Sequence, residues 1–384
     1  MKRFTILAQD GDARTGLLAT RHGAIKTPFF MTVATKGVGK FLSGTDYEEM
    51  GATALIANSF LLSLSPGHEH VKKHQGLHNF MHFSGVIFTD CGGFQMIRDD
   101  LFLGTTSQGI QFRNPYTNKK LTITPEESMK IQEAIGSDVA MMLDDLAPFG
   151  SPKERYEQSM EQTHRWAAES LGHHKDGEQL LFGIVQGGFY PDLREKSARF
   201  INALEVDGKK FDGLAIGGVA IGEPQQKSTE VLDVCLPILD KDRPRYVMGV
   251  GTPAQILEYV SKGIDAFDSI FPTKNARHRE LFTRNGSIII DAGKFKDDQT
   301  PIDPACTCMV CKKYTRGYLY YLTKMNDPVG KRLCSYHNVS FMIQLMADIQ
   351  DAIAKKRFQE FKEEFLRRYS KKSKIAGENK ATAT

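Results

Sequence analysis

The stretch RYVMGVGTPAQILEYVSKGIDAFDSIFP, residues 245–272, contains a strand pattern, a helix pattern and a second strand pattern in succession. Its two apolar runs, 245–251 and 266–272, flank TPAQILEYVSKG (252–263), which has helical apolar spacing. Short apolar runs that end in polar or Gly positions are typical of buried parallel strands. The stretch therefore predicts one strand–helix unit followed by the next strand.

The same pattern repeats along most of the chain. Helical patterns such as TPEESMKIQEAIGS (124–137), which begins with a Thr cap and Pro, separate the apolar runs. The eight runs are FFMTVA (29–34), ALIANSF (54–60), VIFTDCG (86–92), VAMMLDD (139–145), LFGIVQG (181–187), GLAIGGV (213–219), RYVMGVG (245–251) and AFDSIFP (266–272). Eight strands alternating with helices predict an α/β protein with a (β/α)8 TIM barrel. An open doubly wound sheet is the alternative, although it seldom has eight regular repeats.

Two gaps between the runs are too long for simple connections. The first contains GIQFRNPYTNKKLTIT (109–124), which indicates an inserted hairpin, and the second contains a cysteine cluster. NVSFMIQLMADIQDAIAKK (338–356) has helical spacing and predicts the eighth barrel helix. The predicted division is a barrel formed by 1–273 and 338–369, a separate subdomain at 274–337, and a disordered tail at 370–384.

Cysteine is used sparingly, with six residues in the chain, and Cys306, Cys308 and Cys311 lie within six positions. The N-terminus lacks a signal-peptide pattern, so we expect a cytoplasmic protein with reduced thiols. No apolar run of about 18 residues occurs, and we therefore expect no membrane span. Clustered reduced thiols favour a metal site over disulfides.

The charge of the chain is unevenly distributed. The formal net charge is +4, but the segment from Lys274 onward contains 22 Lys and Arg against 12 Asp and Glu. A basic module attached to an acidic body suggests a polyanionic partner. A solvated surface with a loose basic tail is the alternative.

Three carboxylates are predicted to lie where a TIM barrel places its active site, at the carboxyl ends of the strands. Asp90 ends the third predicted strand, Asp144 ends the fourth, and Asp268 lies in the eighth. Paired carboxylates suit glycosidic chemistry, in which one attacks the anomeric carbon and the other handles the leaving group's proton. A cap or salt bridge that closes a barrel layer is the alternative for any one of them.

Together these residues resemble one family, tRNA-guanine transglycosylase with a bacterial-type layout, over about residues 4–368. The motifs that carry the resemblance are TDCGGFQM (89–96), LDD (143–145), GIVQGG (183–188), LAIGGVAIGE (214–223), YVMGVGTP (246–253), FDSIFPTKNAR (267–277) and a CxCxxC cluster followed by His337. The resemblance implies a pentosyltransferase that exchanges the wobble guanine of target tRNA anticodons for a 7-deazaguanine base through a covalent ribosyl-Asp intermediate, in queuosine biosynthesis.

Residue roles also follow from the resemblance. It implies Asp268 as nucleophile and Asp90 as general acid/base. The substrate-binding residues implied are Asp144, Gln186 and the backbone of Gly218 at the purine edge, Phe94 and Met248 on the base plane, and Val219 and Glu223 near the deazapurine substituent. A flat base held between aromatic and thioether faces fits this set.

The resemblance further implies one structural Zn²⁺ per chain, bound by Cys306, Cys308, Cys311 and His337. Sequence spacing alone leaves Cys334 open as the fourth ligand. The implied tRNA-binding residues are Lys274, Arg277 and Arg279, so the resemblance makes segment 274–337 a zinc-binding, basic, tRNA-binding subdomain. Members form homodimers, often through the zinc module, and we expect a homodimer here.

Three departures from the bacterial pattern concern the substrate. Cys91 replaces the usual Ser, Asp145-Leu146 replaces Glu-Cys, and Arg279 replaces Gly. Ile221 and Glu223 favour preQ1 as the incoming base, whereas Leu146 weakens that preference. The alternatives are queuine as the base, a non-catalytic tRNA-binding paralogue, and an unrelated barrel glycoside hydrolase.

Overall fold

A computed structural model describes residues 3–92, 101–175 and 177–370. The strands in these residues are, in chain order, β1 (Phe4–Asp10), β2 (Ala13–Thr20), β3 (Gly23–Thr27), β4 (Phe29–Val33), β5 (Ala54–Asn58), β6 (Val86–Asp90), β7 (Phe102–Thr105), β8 (Ile110–Arg113), β9 (Lys120–Ile123), β10 (Val139–Met141), β11 (Leu180–Val185), β12 (Gly213–Ile216), β13 (Arg245–Val247), β14 (Ala266–Ser269), β15 (Glu280–Thr283) and β16 (Gly286–Ile289).

Helices connect most of these strands. They are α1 (Gly44–Glu49), α2 (Ser59–Leu64), α3 (His68–Lys73), α4 (Leu77–Met81), α5 (Pro125–Ile135), α6 (Lys153–His173), α7 (Pro191–Ala203), α8 (Gln225–Cys235), α9 (Pro253–Val260), α10 (Phe271–Arg277), α11 (Met309–Lys313), α12 (Arg316–Lys324), α13 (Pro328–Ala354) and α14 (Phe358–Ser370). No helix in the described part of the chain is long and apolar enough to cross a membrane.

Eight strands close into a parallel barrel in the order β4, β5, β6, β10, β11, β12, β13, β14, and β14 pairs with β4 to complete it. Seven of the eight apolar runs contain one of these strands and the remaining run, 181–187, overlaps all of β11 except its first residue, so the predicted (β/α)8 barrel is confirmed. Large side chains such as Phe88, Phe182 and Tyr246 are fully buried, and the ring of Phe88 contacts the other two edge to face. The barrel interior is therefore a packed core, and ligands must bind at its rim.

A three-stranded antiparallel sheet, β1–β2–β3, precedes the barrel, and sequence analysis did not predict it. Its buried residues Phe4, Leu18 and Ile25 belong to the same hydrophobic core as the barrel strands. Arg14 on β2 bonds both carboxylate oxygens of Asp265, which immediately precedes β14. The sheet therefore lies against the amino end of the barrel.

The insertion after β6 forms a second antiparallel sheet, β7–β8–β9. The predicted hairpin corresponds to β8 and β9, and β7 is an additional strand that the sequence pattern did not indicate. The ring of Phe112 on β8 packs edge-on against Phe60, with centroids 4.3 Å apart. The insertion is therefore fixed to the barrel on the side of α2.

The long helix α13 begins ten residues before the predicted eighth barrel helix. Asp327 caps it by accepting a 2.7 Å hydrogen bond from the Val329 amide, and Pro328 occupies the first turn. The helix carries His337 in its amino-terminal half, and it packs against barrel strand β4 and against β1, β2 and β15.

Candidate active site and metal centre

The carboxylates of Asp90, Asp144 and Asp268 lie together at the carboxyl end of the barrel. Asp90 is the last residue of β6, Asp268 lies in β14, and Asp144 follows β10 by three residues. The negative charges of Asp268 and Asp144 both raise the pKa of Asp90. Such an effect operates over short distances, so the three groups share one electrostatic environment.

Asp90 is poised between its protonated and ionised forms. Burial raises the pKa of Asp90 most, and the negative charge of Asp268 raises it further. Hydrogen bonds from Gly92 and Asn58 lower the pKa, and the net result is a pKa of about 7. One carboxyl oxygen, Oδ1, has no hydrogen-bond partner among the described residues. A carboxyl group with a pKa near neutrality and a free oxygen is suited to accept and donate a proton.

Asp268 is held in a fixed orientation. Its Oδ1 accepts hydrogen bonds from the Tyr246 hydroxyl at 2.5 Å and from the Gly249 amide at 2.7 Å. Burial raises the pKa of Asp268, whereas these two bonds lower it. Oδ2 accepts no hydrogen bond from a described residue, so it is the oxygen available to attack an electrophile. Tyr246 is a site residue that sequence analysis missed, because one Tyr in an apolar strand has no distinguishing pattern.

Asp144, Gln186 and Cys91 form a hydrogen-bonded group beside these two carboxylates. The Gln186 amide donates to Asp144 Oδ2 at 2.7 Å, and the Cys91 thiol donates to Oδ1 at 3.5 Å. Burial raises the pKa of Asp144 to about 6, with the hydrogen bonds from Gln186 and Cys91 opposing it. The group presents amide and carboxylate atoms of the kind that recognise the edge of a purine.

Gly218 lies directly against this group. A Cβ atom at this position would be 2.6 Å from Gln186 Oε1, and the residue has a φ of +67°. Both the space and the backbone conformation therefore require glycine here. The close approach leaves the peptide backbone, rather than a side chain, facing the polar group.

The remaining predicted base-binding residues divide into three cases. Val219 is buried and Met248 is half-buried, and both follow barrel strands at the same rim. Phe94 lies outside the described residues. Glu223 accepts hydrogen bonds from the Ala220 amide at 2.5 Å and the Ile221 amide at 2.9 Å. These hydrogen bonds to its carboxylate therefore stabilise the conformation of the loop after β12.

The four residues of the predicted metal site also come together. The Nδ1 atom of His337 lies 3.9 Å from Cys306 Sγ, 3.6 Å from Cys308 Sγ and 3.3 Å from Cys311 Sγ, and all four ligand atoms lie within 4.8 Å of one another. Three thiols and an imidazole at these separations can bind a metal ion in tetrahedral geometry.

A hydrogen bond outside this group fixes the imidazole. His337 Nε2 donates to the Phe282 carbonyl on β15 at 2.7 Å, which leaves the Nδ1 lone pair directed at the three sulfur atoms. Cys334 is fully buried and is not part of the group, and burial raises the pKa of its thiol to about 12. The geometry therefore selects His337 over Cys334 as the fourth ligand.

Comparison with known proteins agrees with this arrangement. The family model described as queuine tRNA-ribosyltransferase matches residues 9–371. The chain belongs to this family. It is 41% identical over 367 residues to queuine tRNA-ribosyltransferase of Francisella tularensis subsp. novicida, an alignment that covers 96% of this chain and 99% of the relative. It is 42% identical over 359 residues to the enzyme of the same name from Thiobacillus denitrificans, covering 94% and 96%.

In this member of the queuine tRNA-ribosyltransferase family, the Asp145-Leu146 departure has two separate effects. Asp145 is buried and forms a two-pronged salt bridge with Arg155, with both N–O distances at 2.8 Å. It also accepts a 3.2 Å hydrogen bond from Thr105 on β7, which ties the inserted sheet to the barrel. Leu146 Cδ1 lies 3.4 Å from where a Cβ on Gly218 would stand. Leu146 is therefore the residue that adds apolar bulk beside the polar group.

The predicted tRNA-binding residues of this family member lie on and just after α10, the helix that follows Asp268. Lys274 is exposed and Arg277 is half-buried. Arg279, at the position where the family pattern has Gly, has a φ of +69°, which is unfavourable for a residue with a Cβ. Its guanidinium forms a 2.5 Å salt bridge with Asp291, which partly neutralises its charge.

Proposed function

We propose that this protein is a tRNA-guanine transglycosylase that exchanges the wobble guanine of target tRNAs for a 7-deazaguanine base. The observation that supports the proposal most strongly is the pair formed by Asp90 and Asp268, which differ in their hydrogen bonds but share one electrostatic environment. Membership of the queuine tRNA-ribosyltransferase family is consistent with it.

The reaction proceeds in two displacements on the ribose. Asp268 Oδ2 forms a bond to the anomeric carbon while the bond from that carbon to guanine breaks, and Asp90 donates a proton to the departing base. The incoming base then gives its ring proton to Asp90 and attacks the same carbon, which releases Asp268. Because the incoming base, rather than water, attacks the anomeric carbon and returns the proton to Asp90, the reaction is an exchange and not a hydrolysis.

Recognition of the base is assigned to the neighbouring polar group. We assign Asp144 to accept hydrogen bonds from the purine edge and Gln186 to donate to it. The backbone of Gly218 is the third group assigned to contact this edge. Met248 and Phe94 are proposed to contact the two faces of the ring, and Val219 and Glu223 the substituent of the deazapurine. Stacking and edge hydrogen bonds of this kind hold a base that has left the anticodon stack.

For the incoming base we propose preQ1 over queuine. Ile221 is half-buried within the loop that Glu223 stabilises, and we propose that its branched side chain narrows the space beyond the substituent. Glu223 offers a carboxylate to the ammonium group of preQ1, and such a bond contributes about 1.5–3 kcal/mol. A higher kcat/KM for queuine on one tRNA would contradict the preference. A small residue at Ile221 that left the ratio unchanged would contradict its stated cause.

We propose that the Cys3His group binds one structural Zn²⁺. Bound metal would link the cysteine segment and α11 to α13 and, through Phe282, to β15. Purified protein should contain about one zinc per chain, and Cys308→Ser should lose it. Cys334→Ser is the matched control, because its thiol lies outside the group; loss of zinc from that variant would contradict the assignment.

The segment 274–337 is proposed as a subdomain that binds tRNA, with Lys274, Arg277 and Arg279 contacting phosphates. Each neutralised phosphate releases counterions, so affinity should fall steeply with salt. Lys274→Ala should reduce the salt slope by about one without changing base preference. An affinity that is flat between low and moderate salt would contradict this electrostatic contribution.

A homodimer is proposed through the same segment, because α12 and its flanks expose several large apolar side chains. These are Tyr318, Tyr321, Met325 and Val329. Sedimentation of wild-type protein should give twice the chain mass, and Tyr321→Glu with Met325→Glu should shift it to the monomer. A wild-type monomer at micromolar concentration would contradict the dimer.

One assay tests the reaction itself. Purified protein is incubated with tRNA that carries labelled guanine at the wobble position, and unlabelled guanine, preQ1 and queuine are offered separately. Release of label that depends on the added base is the expected result. Binding of tRNA without release would identify a tRNA-binding protein that lacks the activity, and release of label without any added base would indicate hydrolysis.

A further inference from the structure

Arg194 is a buried cation directly behind the polar group of the site. It lies in the first turn of α7, and its side chain is fully buried. Among the described residues it forms no salt bridge, and burial lowers its pKa. A buried cation without a salt bridge at the positive end of a helix depends on its hydrogen bonds for stabilisation, so the groups that accept them indicate its role.

The guanidinium is instead bonded to three backbone carbonyl groups. Nε donates to Gly188 at 2.7 Å, Nη1 donates to Val185 at 2.8 Å, and Nη2 donates to Gly217 at 2.8 Å. Val185 ends β11, and Gly217 directly follows β12. Arg194 therefore fixes the two glycine-containing loops that flank Gln186 and Gly218.

The bond to Gly217 determines the direction of the next amide. The peptide between Gly217 and Gly218 is trans, so the Gly218 N–H points opposite to the Gly217 carbonyl and away from Arg194. No described residue accepts a hydrogen bond from this N–H. The position that a Cβ would take on Gly218 is 3.3 Å from Arg194 Nη2 and 2.6 Å from Gln186 Oε1. A free donor and a full positive charge thus lie on opposite sides of one peptide.

We propose that Arg194 is a positioning residue that strengthens the Gly218 amide as a hydrogen-bond donor to the negative charge on the departing or attacking purine. This inference rests on the proposed function. When the bond to ribose breaks, the purine carries the electron pair of that bond, and the charge spreads over the ring and its carbonyl oxygen. An amide polarised by a cation in a dry environment stabilises such charge more in the transition state than in the ground state.

The test compares Arg194→Gln with Arg194→Lys, and uses Arg245→Gln as a control. Arg245 is also buried and bonds the carbonyls of Leu236 and Leu239, but it begins β13 at the amino end of the barrel. Incoming bases are guanine and 8-azaguanine, which have nearly the same shape but differ in the acidity of the ring N–H. Near-UV circular dichroism and zinc content establish that each variant is folded.

Arg194→Gln should lower kcat with guanine about a hundredfold and change KM by less than about threefold, and Arg194→Lys should recover about tenfold. The loss should be at least about fivefold smaller with 8-azaguanine, because the more acidic base requires less charge stabilisation. Arg245→Gln should lower the melting temperature and leave kcat unchanged. A role in folding alone would reduce the rate equally for both bases.

Equal losses for the two bases, or a folded Arg194→Gln variant with kcat within threefold of wild type, would overturn the proposal. If Arg194→Lys folds and Arg194→Gln does not, the losses of Arg194→Lys with guanine and with 8-azaguanine are compared instead. If neither variant folds, Arg194 is a stability residue and the proposal is overturned. Calorimetry with free 8-azaguanine should show tighter binding as that base ionises, in wild type but not in Arg194→Gln. Absence of exchange by wild type would contradict the proposed function instead, and the calorimetry would still decide the role of Arg194.

Discussion

Asp138 and Asp144 lie at opposite ends of strand β10, six positions apart in the chain. At the amino end, Asp138 accepts hydrogen bonds from the imidazoles of His22 and His78, both at 2.9 Å, and from the Ile87 amide at 2.8 Å. Burial opposes its ionisation, but these bonds outweigh burial and lower its pKa to about 2. At the carboxyl end, Asp144 has an amide and a thiol as side-chain partners, and its pKa is about 6.

The carboxylates at strand β14 show the same contrast in their hydrogen bonds, although burial raises the pKa of both. Asp265, just before the strand, pairs with Arg14 through both oxygens and also accepts the Arg245 amide at 2.7 Å. Asp268, within the strand, is bonded through one oxygen only. Among the described residues, no cation forms a salt bridge with Asp90, Asp144 or Asp268. Carboxylates at the amino end therefore stabilise the fold, and those at the carboxyl end remain available for chemistry.

Replacing Asp265, just before β14, and Asp268, within β14, by Asn should separate the stabilising role from the catalytic role most strongly. Asp268→Asn should lower guanine exchange at least about a thousandfold, because the nucleophile is lost, without lowering stability. Asp265→Asn should retain the kcat of its folded fraction but lose about 3 kcal/mol of stability, because Arg14 remains buried without its partner. Exchange kinetics and urea unfolding measure both. A covalent tRNA adduct formed by Asp268→Asn would show that a different residue attacks.

Asp138 and Asp144, which flank β10, should give the next largest difference, measured as the free energy of unfolding. Asp138→Asn should lower the free energy of unfolding by about 3 kcal/mol at pH 7, whereas Asp144→Asn should change it by less than about 1 kcal/mol. Because the folded pKa of Asp138 is depressed, its contribution is present above the unfolded pKa of about 4 and is lost as the pH falls toward 2. Equal losses of unfolding free energy for Asp138→Asn and Asp144→Asn at pH 7 would contradict the difference proposed between the two ends of the strand.

Asp90 should show the opposite dependence on pH. Its folded pKa is raised, so the folded state binds the extra proton, and stability falls as the pH rises from about 4 through 7. Asp90→Asn removes this penalty and should stabilise the protein by about 2 kcal/mol at pH 8, with little effect at pH 4, after allowance for partial solvent screening. Urea unfolding at the two pH values tests this, and a gain that is the same at both would contradict it.

The smallest expected effect is a change in stability at Arg279, which lies near the carboxyl end of the barrel and pairs with Asp291 outside the site. Arg279→Gly should relieve the positive φ and raise stability by about 0.5–1 kcal/mol, net of the exposed salt bridge to Asp291. Arg277→Gly is the control, because Arg277 ends α10 without a positive φ, and it should destabilise. Thermal unfolding decides, and a lower melting temperature for Arg279→Gly would contradict the strain.

Sequence alone was sufficient for the barrel and for the three clustered cysteines of the candidate metal site, whereas the choice of His337 over Cys334 needed the family resemblance or the structure. Each barrel strand is a short apolar run bounded by polar or Gly residues, and thiols that cluster in a reduced protein usually do so to bind a metal ion. The sheet β1–β3 was missed because its strands are not continuous apolar runs like those of the barrel: β1 alternates buried and exposed residues, and β2 and β3 include Gly16 and Gly23, which weaken a strand pattern.

The partners that tune the site were not predictable in the same way. Tyr246 and Arg194 act through contacts made by tertiary folding, and each is a single residue in a strand or helix pattern that packing already explains. His22 and His78 meet Asp138 from segments 116 and 60 positions away. Sequence therefore indicated which carboxylates face the rim, but not which groups set their pKa values.

Titration of the aspartate carboxyl carbons by NMR tests the contrast between the two ends most directly. Protein labelled at Asp Cγ is titrated from pH 3 to pH 9, and Asp90→Asn, Asp144→Asn and Asp138→Asn assign the signals. The predicted result is that the Asp90 signal titrates near pH 7 and the Asp144 signal near pH 6, while the Asp138 signal stays that of a carboxylate throughout the range. Titration of Asp90 and Asp144 near pH 4, as in an unperturbed carboxyl group, would contradict it.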